Sequence, residues 1–297
     1  MHDHKPGVSI GLPVYNGERF LKEALDGLLG QTYCDFEIVI SDNASTDRTK
    51  EICHAFAAKD QRIRYYCNPI NIGVNRNFNR VFELSTGEYF KWASADDSCK
   101  PELLTRCSEI LNNDDTAVLA YSKAGFISED GKVLDISDPG WDLRPDARHE
   151  RLRYVLRSRH WVNCHYGLIR ASALAKTRLI PTYPGGDFRL LAELSLRGKF
   201  VEIPEALFFR RIHGGSASQN TANLKWTVKV HMGDEQRICL PIWNLNVDQA
   251  ITIVRSGLKL RYKLPLLGLV LRSMWWNRGR LLQEAKTVFN FPRMARM

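Results

Sequence analysis

Two adjacent carboxylates, Asp96 and Asp97, are the strongest chemical signal in the chain. They follow residues 87–92, whose apolar character predicts a buried strand, and they precede Pro101, a residue type that can open a helix. Open α/β sheets bind ligands beyond the carboxyl ends of their strands, where this pair would lie. Mg²⁺ and Mn²⁺ take carboxylate oxygens as ligands and commonly share them with substrate phosphates. Exposed turns are also rich in aspartate, so a solvated loop is the alternative until other features are considered.

Three more side chains that could bind or react follow an apolar segment or begin a predicted helix. Asp42 follows an apolar segment, Asp187 follows two glycines at a predicted helix start, and His213 lies between an apolar segment and two glycines. Locally, either aspartate could be a helix N-cap, and the histidine could be a satisfied turn residue. His165 could face a substrate, although a core or loop histidine is the better interpretation. These residues therefore need support from the elements around them.

Such positions require strands that end at a common edge, and the apolar pattern predicts them. Strand-like segments lie at 8–12, 36–40, 63–66, 88–92 and 117–121. Helix-like segments lie at 18–29, 49–58, 75–84, 101–111 and 188–197. This alternation predicts a doubly wound, mostly parallel, Rossmann-like α/β sheet. A hairpin is predicted around 129–132, and a loop at 135–150.

The net charge is unevenly distributed. The 297 residues carry a formal charge of +9, and residues 225–297 contain 13 basic and 4 acidic side chains, so this segment accounts for the whole excess. The hydrophobic fraction of 44% is enough for a sizeable core. We therefore predict a neutral body at 1–222 and a basic helical tail at 223–297, which would meet any polyanion first.

The tail has the pattern of an amphipathic helix. At 100° per residue, one side is apolar and the opposite side is basic; the apolar side contains Leu267, Leu271, Met274 and Leu282, and the basic side contains Arg272, Arg280 and Lys286. With the neighbouring Trp275 and Trp276, this pattern is typical of a helix lying on an anionic membrane. A helix packed on the body, or on a second copy in a homodimer, explains the pattern about equally well.

The cysteines and the apolar segments bear on the compartment. Seven cysteines show no C-x-x-C pair and no paired spacing with histidine, which predicts free thiols in a reducing environment. No signal-peptide pattern is visible, and no segment approaches the roughly 20 apolar residues that span a bilayer. We expect a cytoplasmic protein, with peripheral attachment to the inner face of the cell membrane as an extension of that expectation.

Taken in order along the chain, the segments that follow the strands resemble the family 2 glycosyltransferases, inverting enzymes of the GT-A fold. The resemblance covers roughly residues 7–220 and rests on the segments 13–16, 41–43, 94–97, 185–187 and 209–216. It implies a nucleotide-sugar half at about 1–100 and an acceptor half at about 101–222.

The resemblance also implies roles for individual residues. Asp42 matches the acidic residue that bonds the nucleobase, and the remaining residues of the nucleotide pocket are Pro13, Val14, Tyr15, Asn16 and Asn43. Arg76 matches a contact to the base or phosphate more loosely. Ser94-Ala95-Asp96 matches the D-x-D motif, whose last acid holds the metal. Ser94 replaces the first Asp of that motif, and Asn43 stands where many relatives have a second Asp.

On the reaction side, the resemblance makes Asp187 the catalytic base and His213 a further metal ligand, with Asp97 and His165 as candidate acceptor-side residues. The implied cofactor is Mn²⁺ or Mg²⁺, which neutralises the charge of a diphosphate leaving group. The implied donor is a UDP-sugar, with dTDP- or GDP-sugars as alternatives, and the acceptor is a glycan or lipid-linked glycan rather than a nucleic acid. A helix dipole would lower the pKa of Asp187 and weaken it as a base unless burial raises that pKa.

Two other function classes fit parts of the sequence. A sugar-nucleotide nucleotidyltransferase usually carries a glycine-rich, basic phosphate loop after its first strand, and residues 13–17 lack one. A non-catalytic polyanion-binding or membrane-binding protein would act through the basic tail alone. The acidic side chains of the neutral body make that class the weakest of the three.

Overall fold

The computed structural model describes residues 5–136, 140–158, 163–214, 231 and 239–294, with side chains described as far as residue 286. The first half alternates strands and helices: β1 (Val8–Val14), α1 (Leu21–Leu29), β2 (Phe36–Asp42), α2 (Thr49–Ala57), β3 (Ile63–Cys67), α3 (Val74–Glu83), β4 (Tyr89–Trp92), β5 (Ser98–Cys99) and α4 (Leu103–Asn113). The second half contains β6 (Ala117–Ile127), β7 (Val133–Asp135), α5 (Arg148–Arg157), a 3₁₀ turn (Cys164–Tyr166), β8 (Leu168–Arg170), α6 (Ala171–Leu174), α7 (Asp187–Ser195) and β9 (Lys199–Arg211).

The described strands form one mixed sheet in the order β3-β2-β1-β4-β8-β6-β9-β5, with β7 paired to β6 outside that path. The pairs β1–β2, β2–β3, β1–β4 and β6–β9 are parallel. The short strand β8 runs antiparallel to both of its neighbours, β4 and β6. The predicted doubly wound α/β class is confirmed, and the β6–β7 pair confirms the predicted hairpin.

Burial explains why these segments take these forms. Every residue of β1 and β2 is buried, as expected for central parallel strands covered on both faces. Helix α1 buries four side chains at helical spacing, Leu21, Ala24, Leu25 and Leu28. It begins at Leu21 rather than at Glu18, because Glu18 is held in a loop where its amide donates to Asp47 and its carboxylate accepts from the Arg48 amide.

Residues of the predicted loop at 135–150 pack against the core. Trp141 and Leu143 are buried, and the backbone of Leu143 exchanges two hydrogen bonds with that of Phe200, at 2.9 and 3.1 Å. Helix α5 then begins at Arg148 and buries Leu152 and Val155. The charged residues of this segment suggested a loop, but its few apolar side chains are spaced to reach the core.

The described part of the tail is helical as predicted, and it forms α8 (Pro241–Arg255), α9 (Leu260–Trp276) and α10 (Arg278–Met294). Ile253, Leu266 and Val270 are buried in the same hydrophobic cluster as α5 and α7. The predicted division near residue 222 lies outside the described residues. Within the described parts of the chain, no helix combines the length and the apolar character needed to cross a membrane.

An ionic network fastens α8 to the body. Asp248 accepts hydrogen bonds from Arg178 at 2.8 Å, from the hydroxyl of Tyr183 at 2.6 Å and from Arg189 at 3.2 Å. Arg178 also donates to Glu193 at 2.6 Å. Because Arg189 and Glu193 belong to α7, this network ties the tail to the helix that begins at Asp187.

Candidate active site

The segments that follow β1, β2 and β4 meet at one edge of the sheet. The strand register places Val14 beside Asp42 and Gly11 beside Trp92. The amide of Asn43 donates to the carbonyl of Val14 at 2.8 Å. A Cβ atom at Gly17 would lie 3.4 Å from that of Ala95, so the first and fourth segments touch. The structure therefore brings together most of the predicted donor-side residues: Pro13, Val14, Tyr15, Asn16, Asp42, Asn43, Ser94, Ala95 and Asp96.

Asn16 joins the first two of these segments. Its amide donates to the Ser45 hydroxyl at 2.9 Å, and its side-chain carbonyl accepts from the Thr46 amide at 2.9 Å. Its φ of 50° is a conformation that asparagine tolerates better than most residues. The neighbouring Tyr15 is 50% exposed, while Pro13 and Val14 are buried. Tyr15 is therefore the aromatic surface that this segment offers to a ligand.

Asp42 is fully buried, and both of its carboxylate oxygens have protein partners. One oxygen accepts from the Ser45 amide at 2.9 Å and the other from the Tyr65 hydroxyl at 2.8 Å. The carboxylate that meets the start of α2 belongs to Asp47, which accepts from the amide and the hydroxyl of Thr49. Asp42 is therefore not the cap of that helix, and its contact with a nucleobase stays a prediction.

Asn43 organises the chain between β3 and α3. Its side-chain oxygen accepts from Asn68 at 3.1 Å and from the Ile72 amide at 2.9 Å, and its side-chain nitrogen donates to Asn71 at 2.8 Å. These bonds shape the segment that leads to Arg76, a partly exposed residue in the first turn of α3. Asn43 thus joins the end of β2 to the segment between β3 and α3.

Asp96 and His213 lie in direct contact although 117 residues separate them. The imidazole Nε2 of His213 is 2.8 Å from one carboxylate oxygen of Asp96, and the Ser94 hydroxyl donates to the other. The β5–β9 pairing, which sets Ser98 opposite Phe209, brings the two segments together. Both side chains are partly exposed, at 28% for Asp96 and 13% for His213. A ligand arriving at this edge can therefore reach them.

The Asp96 carboxylate oxygen and the His213 Nε2 atom could supply part of the ligand set of a metal ion. A carboxylate oxygen and an imidazole nitrogen are donors that Mn²⁺ accepts, and Mg²⁺ sites usually draw remaining ligands from water and substrate phosphates. Among the residues that the structure describes, no group of three or more His, Cys, Asp and Glu side chains could hold a metal ion by itself. Asp96 and His213 therefore suit a site that a diphosphate would complete.

Arg211 holds the acidic segment in place, and the sequence pattern gave it no role. Its amide donates to Asp97 at 2.9 Å and its Nε to the carbonyl of Asp96 at 2.8 Å. Arg211 is 2% exposed, and its guanidinium also donates to the carbonyl of Glu129 at 2.9 Å and to the carboxylate of Glu23. Two consecutive arginines near the end of an apolar strand must face opposite sides of the sheet, and this alternation was the available signal.

Asp187, the predicted base, is the first residue of α7. Burial raises its pKa to about 6, against the lowering effect of backbone hydrogen bonds and of Arg210. The conflict between helix dipole and burial is thus decided in favour of burial. A carboxylate of this kind is ionised at neutral pH and still basic enough to accept a proton.

Arg210 and Tyr166 interact with the acidic groups through charge, and the sequence pattern assigns neither a role. The positive charge of Arg210 lowers the pKa of both Asp97 and Asp187. The pKa of the partly buried Tyr166 is raised by desolvation first and then by Asp97, with Asp96 and Asp187 contributing. Both residues therefore interact electrostatically with the acidic groups of the predicted site.

Asp97 and His165 are both buried. Burial and the neighbouring Asp96 raise the pKa of Asp97 above its usual range. The buried ammonium of Lys91, in β4, donates to the carbonyl of Trp92 at 3.1 Å and to that of Tyr166. The ring of His165 packs 4.2 Å from that of Tyr166. Acceptor contacts by Asp97 and His165 stay predictions.

Comparison with known sequences identifies relatives over much of the chain. Residues 9–177 match the profile of glycosyl transferase family 2. An uncharacterized glycosyltransferase of Haemophilus influenzae is 27% identical over 224 residues, which cover 72% of this chain and 68% of the relative. The chondroitin synthase of Pasteurella multocida is 26% identical over 218 residues, which cover 73% of this chain but 22% of that protein. The chain thus matches only about a fifth of that synthase.

Comparison with solved structures shows the fold. S. aureus TarS 1-349 in complex with UDP-GlcNAc has a TM-score of 0.67 at 16% identity, covering 93% of this chain and 79% of that one. A mannosyltransferase from Pyrobaculum calidifontis, in complex with GDP-Man and Mn²⁺, has a TM-score of 0.55 at 15% identity, covering 99% and 82%. The curled, mostly parallel sheet with flanking helices is the GT-A fold.

Proposed function

Because the chain belongs to glycosyl transferase family 2, we propose that it transfers a sugar from a nucleoside-diphosphate sugar to a hydroxyl of a glycan or lipid-linked glycan, with inversion at the anomeric carbon. The observation that supports this most directly is the Asp96–His213 contact of 2.8 Å at the edge where the segments after β1, β2 and β4 meet. Family membership gives no support to a nucleotidyltransferase or a non-catalytic protein.

The donor nucleotide is proposed to lie along residues 13–16, between the exposed Tyr15 and the acidic segment. Asp42 meets the base if it exchanges one of its present partners, Ser45 or Tyr65, for a base N–H. A UDP-sugar is the first choice, with dTDP- and GDP-sugars as alternatives. The similar structures carry UDP-GlcNAc in one case and GDP-Man in the other, so likeness of fold does not select the base.

The diphosphate is proposed to sit against Asp96 and His213, which would hold Mn²⁺ or Mg²⁺ together with it. When bound, such a cation neutralises the charge that develops on the leaving diphosphate. Arg211 bonds to the backbone carbonyl of Asp96 and to the side chain of Asp97, so the metal-type pair keeps its position. Ser94 donates to Asp96 from the position that carries the first acid of the D-x-D motif.

The acceptor is proposed to approach from the side of Asp187. The carboxylate of Asp187 takes the proton of the acceptor hydroxyl while that oxygen forms a bond to C1 of the sugar. The bond between C1 and the diphosphate oxygen breaks in the same step, and its electron pair leaves with the diphosphate. A single displacement of this kind inverts the anomeric centre.

The C-terminal helices support a proposed peripheral attachment to anionic membrane. Four side chains of α9 are between 59% and 68% exposed and lie within about 60° of one another around the helix; this membrane-facing row consists of Leu260, Leu264, Leu271 and Trp275. Arg261 and Lys263 flank it, which suits an interfacial helix. The active site would then lie at the inner, cytoplasmic face of the membrane. Within the chain, we propose that residues 1–100 form the donor half, residues 101–222 the acceptor half and residues 223–297 the tail.

The apolar face differs from the one predicted. Leu267 and Met274 pack against the core, so they are not available to lipid. The helix also ends at Trp276, and Leu282 belongs to the separate helix α10. The side chain of Asn277 donates to the carbonyl of Ser273 at 2.9 Å where α9 ends. Residues 265–286 therefore do not form the single amphipathic helix that the sequence pattern predicts.

Substitution of Asp96 tests the proposed donor site. We expect Asp96→Ala to abolish sugar transfer and the Mn²⁺-dependent thermal stabilisation by the preferred nucleotide among UDP, GDP and dTDP. Glu109→Gln, an exposed carboxylate on α4, is the matched control and should transfer normally. Full activity of Asp96→Ala, or of the wild type in excess EDTA, would exclude the metal role.

A further inference from the structure

A cavity of about 760 Å³ lies where the tail meets the body. Its wall is formed by the end of α5, the start of α7 and parts of α8, α9 and α10. Pro184, Gly185 and Phe188 belong to this wall, so the cavity borders the chain on both sides of Asp187. A molecule held there would contact residues that flank the proposed base along the chain, Gly185 and Phe188.

Three arginines line this cavity, Arg157, Arg272 and Arg280. None of them forms an ion pair with a carboxylate of the described residues. The acidic residue of the wall, Glu284, accepts from the amides of Ile242 and Trp243 at 3.0 and 3.2 Å. The cavity therefore has an excess of positive charge, which an anion would balance.

The rest of the wall is mainly apolar. The side chains of Leu156, Phe188, Leu245 and Leu269 line it, and the guanidinium of Arg272 lies 4.1 Å from the centre of the Trp276 ring. An uncharged glycan would not need three arginines, and a simple anion would not need the leucines. The wall thus combines the features that recognise a phosphate attached to an apolar chain.

The membrane-facing row is on the same helix as part of the cavity. Leu271 and Trp275 of the row alternate with Arg272 and Trp276 of the cavity wall along the last turn and a half of α9. The apolar chain of a ligand that leaves the cavity along this helix would continue onto the exposed apolar surface. The arrangement suits a ligand whose apolar part stays in lipid while its phosphate and glycan reach the protein.

We propose that this cavity binds the phosphate and the adjoining apolar chain of a lipid-phosphate-linked acceptor, and so makes that class of glycan the acceptor. This rests on the proposed glycosyl transfer, because the cavity acquires its role from its position beside Asp187. Arg157, Arg272 and Arg280 bind the phosphate. Leu156, Leu245 and Leu269 contact the part of the ligand's apolar chain that adjoins the phosphate.

The test measures binding to the full-length protein, so it does not depend on transfer. The probes are decyl phosphate, inorganic phosphate and decyl maltoside, each below its aggregation limit. We expect decyl phosphate to bind at least tenfold more tightly than either of the others. If inorganic phosphate binds as tightly as decyl phosphate, the cavity is a simple anion site. If decyl maltoside binds as tightly as decyl phosphate, the cavity is a simple apolar site. Either result overturns the proposal.

Substitutions of the three arginines test whether they bind the phosphate. Combined substitution of Arg157→Gln, Arg272→Gln and Arg280→Gln should weaken decyl phosphate binding at least tenfold, with each single substitution giving a smaller loss. Arg255→Gln, an exposed arginine at the end of α8, should leave it unchanged. Nucleotide-dependent thermal stabilisation should persist in the triple variant, which shows that its fold is intact.

The outcomes separate the two proposals. Unchanged decyl phosphate binding in the triple and single variants would overturn the cavity proposal while leaving glycosyl transfer standing. Failure of the wild type to bind any sugar nucleotide would instead count against the proposed function. A wild type that transfers sugar equally well to soluble glycans and to lipid-phosphate-linked glycans would count against the acceptor class.

Discussion

Asp187 shows how burial can prepare a carboxylate for proton transfer despite an unfavourable backbone. At the start of a helix, the backbone N–H groups lower the pKa of a carboxylate. The surrounding protein nevertheless raises the pKa of Asp187 to about 6. The raised pKa makes the carboxylate a better proton acceptor while it is still ionised near neutral pH.

This pKa predicts the acid limb of the activity profile. Asp187 must be ionised to act as base, so kcat/KM should fall about tenfold per pH unit as the pH drops below about 6. Asp187→Asn should lower kcat by about 10²- to 10⁴-fold, a typical contribution of a general base. Nucleotide-dependent thermal stabilisation of the variant is the control for its fold. A wild-type profile that stays flat down to pH 4.5 would exclude this assignment.

The residues that the sequence identified and those that it missed differ in what defines them. Asp96, Asp187 and His213 could be found because acids and histidines at the ends of strands and the starts of helices are visible in the order of the chain. Arg211 could not be given a role, because its function depends on a bond to Asp97 across 114 residues. Tyr166 is likewise defined by acidic groups from separate segments.

At the scale of elements, local periodicity located β1 to β4 and α1 to α4 to within a few residues. It did not show β8, a strand of three residues that inserts antiparallel between β4 and β6. It also missed α5, whose buried face includes only Leu152 and Val155 as apolar residues. Short strands and highly charged helices are specified by the surfaces that they meet, and such surfaces are not visible in a window of sequence.

The network between α7 and α8 predicts a stability effect away from the active site. Asp248→Ala should lower the free energy of unfolding by about 3 kcal/mol, because it leaves Arg189 and Tyr183 without their buried partner. The measurement is urea unfolding followed by circular dichroism. Asp26→Ala, which removes an exposed carboxylate of α1, should change stability by less than about 0.5 kcal/mol. Similar values for both variants would show that the network contributes little.

At the scale of the whole molecule, charge and apolar exposure coincide in the tail. Residues 225–297 carry the formal excess of +9, and the same segment presents the exposed apolar row of α9 that is proposed to meet the membrane. Composition predicted the basic character of the tail. It could not predict which apolar side chains stay exposed, because that depends on how α9 packs against the body through Leu266 and Val270.

This surface predicts a lipid-binding phenotype. The double substitution Leu264→Ser and Leu271→Ser should reduce sedimentation with anionic liposomes at least tenfold, because each buried leucine contributes roughly 1.5 kcal/mol or more. Binding of the wild type should also fall as salt rises. Val254→Ser, an equally exposed position on α8 outside the row, is the control. If the row instead covers a second copy, the double variant will convert a dimer to a monomer in size-exclusion chromatography without affecting liposome binding.

The burial of Ile253, Leu266 and Val270 changes how deletions of the tail should be interpreted. A fragment that stops before α8 would expose the apolar faces of α5 and α7 that these side chains cover, and would leave Arg178 and Arg189 without Asp248. Loss of activity in such a fragment would report a damaged core rather than a lost membrane anchor. Point substitutions on the outer face of α9 separate attachment from folding, which a truncation of this protein cannot do.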